Sequence, residues 1–223
     1  MSRISATTLF NFTNSLEFLI DNLTNGIYCS KNFEKLPIRN NGYSVPIACF
    51  CDIPLSLIKE HFEWYGRYGI GIKRKYARTL GVKPVWYVTS ESLLVKSLIK
   101  NKSLNEYEKS HLVPYLKQFM GLQEIEVGKL KRKKFYDERE WRYIPKNADV
   151  EILFGNKQNS IETQSEFNYR MKLDLNAIEY IILDNEKELE QMIGVLKKIQ
   201  SDEVSYDILL SKILTSRQIE RDF

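Results

Sequence analysis

The sequence is poor in the residues from which metal centres and activated nucleophiles are usually built. Its 223 residues carry two histidines, His61 and His111, and three cysteines, Cys29, Cys49 and Cys51. An odd cysteine count, in a chain that opens Met-Ser-Arg-Ile-Ser without a basic-then-apolar leader, argues against a disulfide framework. Cys49 and Cys51 share one face of a strand, but Cys-x-Cys without a second pair is a poor zinc signature. We expect buried free thiols and no metal. Glycine is scarce too, and Gly66, Gly69 and Gly71 are spaced wrongly for a dinucleotide fingerprint. There is no phosphate-cradling loop, and no Ser-His-Asp or Cys-His pattern with recognisable local context. No apolar run approaches the roughly 18 residues of a membrane helix, so the expectation is a cytoplasmic chain with no membrane partner. Charge of one sign is also lacking: 33 basic and 29 acidic residues leave +4, which does not demand nucleic acid.

What is present suffices for a core. Hydrophobic residues make up 43% and aromatics 12%, which excludes global disorder and suits one domain over residues 1–223. Residues 8–13 read as a strand. Asn14 and Glu17 then form a capping-box start for a helix that Gly26 stops. The apolar run 45–51 is short enough for a buried strand, and Asp52 reads as the cap of a helix carrying Leu55, Ile58, Phe62 and Tyr65. His61 lies beside that stripe and reads as a packed or hydrogen-bonded histidine rather than a catalytic one. In the next strand, 68–73, Gly69 and Gly71 leave one face bare, as if something approached closely. Residues 76–80 read as a helix and 84–88 as a strand, followed by a helical middle at 91–101 and 105–122, bent at Pro114. Five of the six residues at 129–134 are basic. They form either a solvated face or a meeting place for a phosphate-bearing partner. A strand near 150–154, a polar loop at 155–165, a strand at 178–183 and an amphipathic helix at 185–200 follow. The pattern is α+β: a mixed or split central sheet through Phe10, Phe50, Ile70 and Trp141, with flanking helices.

The stretch around which the chain is organised is Lys133-Lys134-Phe135-Tyr136-Asp137-Glu138-Arg139-Glu140-Trp141-Arg142-Tyr143-Ile144-Pro145. As a strand it places Glu138, Glu140 and Arg142 on one face, with Arg139, Trp141 and Tyr143 on the other. As a helix, Glu138 and Glu140 would diverge by roughly 200°. The aromatics and Pro145 favour the strand. Its charged face is either a solvated edge whose charges pair with one another, or the wall of a cleft.

Three blocks together resemble the AbiGi family of bacterial abortive-infection proteins, usually labelled the antitoxin half of a two-gene phage-resistance system. They are Leu9-Phe10-Asn11-Phe12-Thr13, then Cys49-Phe50-Cys51-Asp52-Ile53-Pro54-Leu55-Ser56 with Tyr65-Gly66-Arg67-Tyr68-Gly69-Ile70-Gly71, and Glu138-Arg139-Glu140-Trp141-Arg142. A looser similarity runs to ADP-ribosyltransferases of the DarT and Glu-x-Glu toxin types. That similarity implies an ADP-ribosyltransferase-like fold and a cleft for NAD. Glu140 would be the catalytic carboxylate, favouring an oxocarbenium-like state, and Glu138 would assist an acceptor. Asn11, Thr13, Tyr65, Tyr68 and Arg142 would bind the cofactor, with Asn11 standing where the DarT pattern has His. As an exposed cleft residue, Glu140 is expected to contribute little to folding. The alternative is a non-catalytic antitoxin that holds a cognate toxin or other defence protein, or binds nucleic acid.

Overall fold

The computed structural model describes residues 6–36, 41–100, 105, 108, 111–126, 128–148, 151–154, 168–202 and 204–223. Its fold is α+β, and its frame is a nine-stranded mixed sheet centred on the 11-residue strand β4 (Asn41–Cys51). The first half of β4 pairs with β3 (Ser30–Lys35) and β12 (Glu151–Phe154). The second half pairs with β1 (Thr8–Thr13) and β11 (Glu140–Tyr143). The main path runs β15 (Ile213–Thr215), β14 (Ile178–Leu183), β5 (Tyr68–Lys73), β1, β4, β11, β6 (Lys83–Pro84), antiparallel except for β14 with β15. Three small sheets stand apart: β2 (Ile27–Tyr28) with β13 (Arg170–Met171), β7 (Trp86–Val88) in parallel with β8 (Leu116–Gln118), and the hairpin β9 (Gly121–Glu126) with β10 (Lys129–Lys133). The loop read at 155–165 lies outside the described residues.

Helices cover the sheet because alternate strand residues are apolar on both of its faces. On one face, Leu9, Ile70, Ile72, Ala48 and Phe50 pack under α1 (Leu16–Asn25), α3 (Arg74–Thr79), α5 (Leu189–Ile199) and α6 (Tyr206–Leu210). The other face is covered in two pieces. Phe10, Cys51 and Ile182 meet Phe62 of α2 (Lys59–Tyr65) and Ile219 of α7 (Ser216–Asp222). Tyr43, Val45 and Ile47 meet Val88, Leu116 and Val95, the last on α4 (Leu93–Lys100). No helix among the described residues is long and apolar enough to cross a membrane.

Several expectations change here. The Ser15 hydroxyl, not Asn14, caps α1. Asp52 does not cap a helix; its carboxylate accepts from the Ala6 N–H at 2.9 Å and from Arg74 at 3.1 Å, tying the strand ends together. The stretch read as helix at 105–122 is helical where described at 108 and 111–112, with Asn105 and Glu108 bonded reciprocally at its start, but then passes into a 3-10 turn at Val113–Tyr115, β8 and the start of β9. A three-residue strand held by a parallel partner far along the chain leaves no local period to read. The bareness of Gly69 and Gly71 has a packing cause. A Cβ on Gly71 would lie 2.8 Å from the Phe10 ring, and one on Gly69 the same distance from the Phe12 ring. The neighbouring strand's aromatics fill the face that the glycines vacate.

A buried charge nest under the Glu-x-Glu strand

Strand β11 begins at Glu140, not Glu138. Glu138 closes a 3-10 turn, Phe135–Glu138, and Arg139 follows in the left-handed region at φ 47°. That turn replaces the expected alternation, yet it brings the two carboxylates together. The register Glu140↔Cys51 and Arg142↔Cys49, with Phe10↔Cys51, places Glu140 and Arg142 on the face of Phe10 and α2. Trp141 and Tyr143 point to the other core, as expected.

Both carboxylates are buried, and Arg142 has no exposed surface. Arg142 Nε donates to Glu140 Oε1 at 2.6 Å, and its other nitrogens donate to the Tyr43 hydroxyl, the Pro114 carbonyl (2.7 Å) and Glu34 Oε2 (2.9 Å). Lys117 on β8 places Nζ 2.8 Å from Glu140 Oε2, as a charge contact outside hydrogen-bond angles, and 3.6 Å from both Glu138 and Glu34. Lys133 on β10 lies 2.8 Å from Glu138 Oε1 and donates to the Tyr65 hydroxyl at 2.9 Å, while Tyr65 donates to Glu138. The Glu140 N–H donates to the Tyr87 hydroxyl at 2.7 Å. Three carboxylates therefore face three cations, with phenols from Tyr43, Tyr65 and Tyr87 completing the nest.

Such a nest is stable only because its charges compensate. Burial pushes the Glu140 carboxyl up, but Arg142 and Lys117 outweigh it and hold the group well below the usual carboxylate range. Burial pulls Lys117 down, and the carboxylates of Glu140, Glu34 and Glu138 hold it well above its ordinary value. Burial lowers Lys133 despite the opposing pull of Glu138. Beside the nest, burial pushes the His61 imidazole down to about 4; its ring lies 5.8 Å from that of Tyr65, and neither nitrogen has a well-aligned hydrogen-bond partner among the described residues. The expectation that Glu140 is an exposed cleft carboxylate of little weight in folding is therefore corrected.

The residues expected around a nicotinamide ribose do not assemble into one cradle. Glu138, Glu140, Arg142 and Tyr65 meet in the nest. Asn11, Thr13 and Tyr68 belong to the opposite sheet face, since Asn11 pairs with Ile70 and Thr13 with Tyr68. There the Asn11 amide donates to the Cys49 carbonyl at 2.9 Å and accepts from Asn22, bridging β1, β4 and α1 where β1 and β4 diverge. Tyr68 donates to Glu188 at 2.7 Å. The Asn11 and Tyr68 side chains have structural partners, and the expected set is divided between the two sheet faces. Cys51 and Cys29 are buried as expected, but Cys49 is exposed in the gap between the two apolar clusters, with dense protein around it. That protein and the Glu140 charge raise its thiol well above the ordinary value. Sequence reasoning missed Glu34, Tyr43, Tyr87 and Lys117 altogether. The available signal was a lone lysine inside the aromatic and apolar run Tyr115-Leu116-Lys117.

A family model described as "Putative abortive phage resistance protein AbiGi, antitoxin" matches residues 30–184. A protein of Lactococcus lactis subsp. cremoris named "Abortive phage resistance protein AbiGi" is 28% identical over 247 aligned residues, covering 88% of this chain and 98% of that protein. No solved structure matches the chain.

Proposed function

This chain belongs to the AbiGi family of abortive phage resistance proteins, and we propose that it is the antitoxin half of its defence system, acting in the cytoplasm by binding a cognate toxin. The observation that carries this reading is the mutual neutralisation of Glu138, Glu140 and Arg142 by Lys133, Lys117 and Glu34. A carboxylate clamped by two cations is poorly placed to favour a developing positive charge on a substrate. As a pin between β4, β8, β10 and β11, however, it makes a rigid frame, and a rigid frame loses less entropy when a partner docks.

The test is co-expression with the product of the adjacent gene, scored by growth. Wild type should restore growth. The charge-balanced double variant Glu140→Gln/Arg142→Met, compared at equal soluble level, should restore it as well. Failure of the wild type to protect overturns the reading, and loss of protection in the folded double variant points to catalysis. One observation favours that second reading, an NAD-consuming, ADP-ribosyltransferase-like enzyme: Glu138 and Glu140 converge on one ammonium, and Glu34 and Lys117 at its edge keep some exposure. It requires nicotinamide release from NAD by the wild type and none by Glu140→Gln.

A further inference from the structure

The Lys133 ammonium occupies a cage that other elements build. Nζ lies 4.1 Å from the centre of the Trp64 ring and 4.4 Å from that of Tyr65, consecutive residues of α2. It also lies 2.8 Å from Glu138 Oε1 and donates to the Tyr65 hydroxyl at 2.9 Å. Two aromatic faces, a carboxylate and a phenol oxygen are the groups that recognise an organic ammonium. The occupant belongs to a separate element, since the β9–β10 hairpin pairs with no other strand among the described residues. Gln123 shares the hairpin's inner face with Lys131 and Lys133 and buries a side-chain oxygen that no described donor reaches. Trp64 and Tyr65 are partly exposed, so the cage borders solvent. A lysine carries its charge on a flexible four-carbon stem, and the ammonium can withdraw without moving the strand.

We propose that Trp64, Tyr65 and Glu138 form a binding site for a primary alkylammonium group, with Lys133 as its displaceable internal occupant. Charge selects the ligand. Withdrawing Lys133 alone leaves the buried Glu138 with only Lys117, 3.6 Å away. An incoming ammonium restores the lost pairing, and a neutral ligand of the same shape does not. The lysine side chain of a partner protein and a free amine share this chemistry. Amine binding is required by neither the antitoxin reading nor the catalytic one.

The probe is n-butylammonium, titrated against the full chain with sodium as the ionic-strength control and n-butanol as the neutral isostere. Lys133→Ala empties the cage, so its melting temperature should rise saturably with n-butylammonium and not with n-butanol. Its affinity should exceed that of the wild type by about tenfold or more, because no internal competitor remains. Adding Trp64→Leu should weaken binding about fivefold. In the wild type, n-butylammonium should displace Lys133 and speed amide exchange in residues 121–133 while leaving β4 and β5 unchanged. Two further amines distinguish the source. Nα-acetyl-lysine amide binding as well as n-butylammonium supports a partner's lysine, and tighter binding of putrescine supports a free polyamine. Stabilisation that n-butanol matches, or that Trp64→Leu leaves undiminished, overturns the site. Wild-type hairpin exchange that n-butylammonium does not move overturns the displacement of Lys133, and it decides alone if Lys133→Ala fails to fold.

Discussion

Beneath β11, three carboxylates meet three cations at 2.6–3.6 Å, with Glu138, Glu140 and Arg142 buried and Glu34 and Lys117 partly exposed at the edge. On the outer face of the β9–β10 hairpin, Arg132 stands beside Leu122 and Leu130 in open solvent. Both regions draw on the same basic run, yet Lys133 belongs to the first and Arg132 to the second. The difference teaches what charge does in each place. Buried charge that is fully compensated fixes geometry, and removing one member leaves another without its partner in a poorly solvated site. Exposed charge next to apolar surface contributes little to folding and is available to a partner.

The largest effect is expected at the centre of the nest. Arg142→Met removes the guanidinium shared by Glu140 and Glu34, leaving both to Lys117 alone, and should lower the unfolding free energy by about 3–5 kcal/mol in urea titrations at pH 7. Lys133→Ala, which uncovers Glu138, should cost about 3 kcal/mol by the same argument. The double variant Glu140→Gln/Arg142→Met should cost less than the sum of its single changes, because its members share one interaction. Additive losses would mean that the pair does not act as a unit.

The acid limb of stability separates two contributors. Folded His61 takes its proton only near pH 4, against an ordinary value of 6.5. Its contribution is complete at neutral pH and is lost as the pH falls from 6.5 to about 4, on the order of 3 kcal/mol. Glu140 is depressed instead. Its contribution persists above the unfolded value and drains away only below about pH 4.3. His61→Leu should flatten the upper part of the limb and leave the lower part. A limb unchanged by that substitution would show that His61 is hydrated in solution.

A smaller effect, of opposite sign, is expected at Arg139. Its φ of 47° turns the chain so that Glu138 and Glu140 both reach Lys117. Glycine tolerates that region without the Cβ clash, so Arg139→Gly should stabilise the fold by up to about 1 kcal/mol. Destabilisation would reveal a contact of the Arg139 side chain that outweighs the relief.

How far the sequence discloses these regions depends on the range of the interactions that build them. The strand character of 140–143 and the inward placement of Trp141 and Tyr143 follow from local alternation, and the structure agrees. Alternation also groups Asn11 with Thr13. Whether that face looks toward Glu140 depends on how β1, β4 and β11 register, which no local pattern contains. Lys117 was hidden for the same reason, since its three-residue strand exists by pairing with β7 from 30 positions earlier. The 3-10 turn at Glu138 was hidden by a rare backbone conformation at a residue that does not advertise it.

The smallest expected effect is the one that sharpens the comparison most. Arg132 and Lys133 are adjacent, carry the same charge and sit on one strand, so composition and local charge density cannot distinguish them. Their environments do. Lys133 lies over the Trp64 and Tyr65 rings and pairs with Glu138, whereas Arg132 has an exposed side chain whose one described polar contact is the Met120 thioether. Arg132→Ala should therefore change the unfolding free energy by no more than about 0.5 kcal/mol, with the Met120 contact worth too little to add to it. Measured by urea titration beside Lys133→Ala, the two neighbours should differ about sixfold in effect. Equal losses would place Arg132 in the fold's own framework.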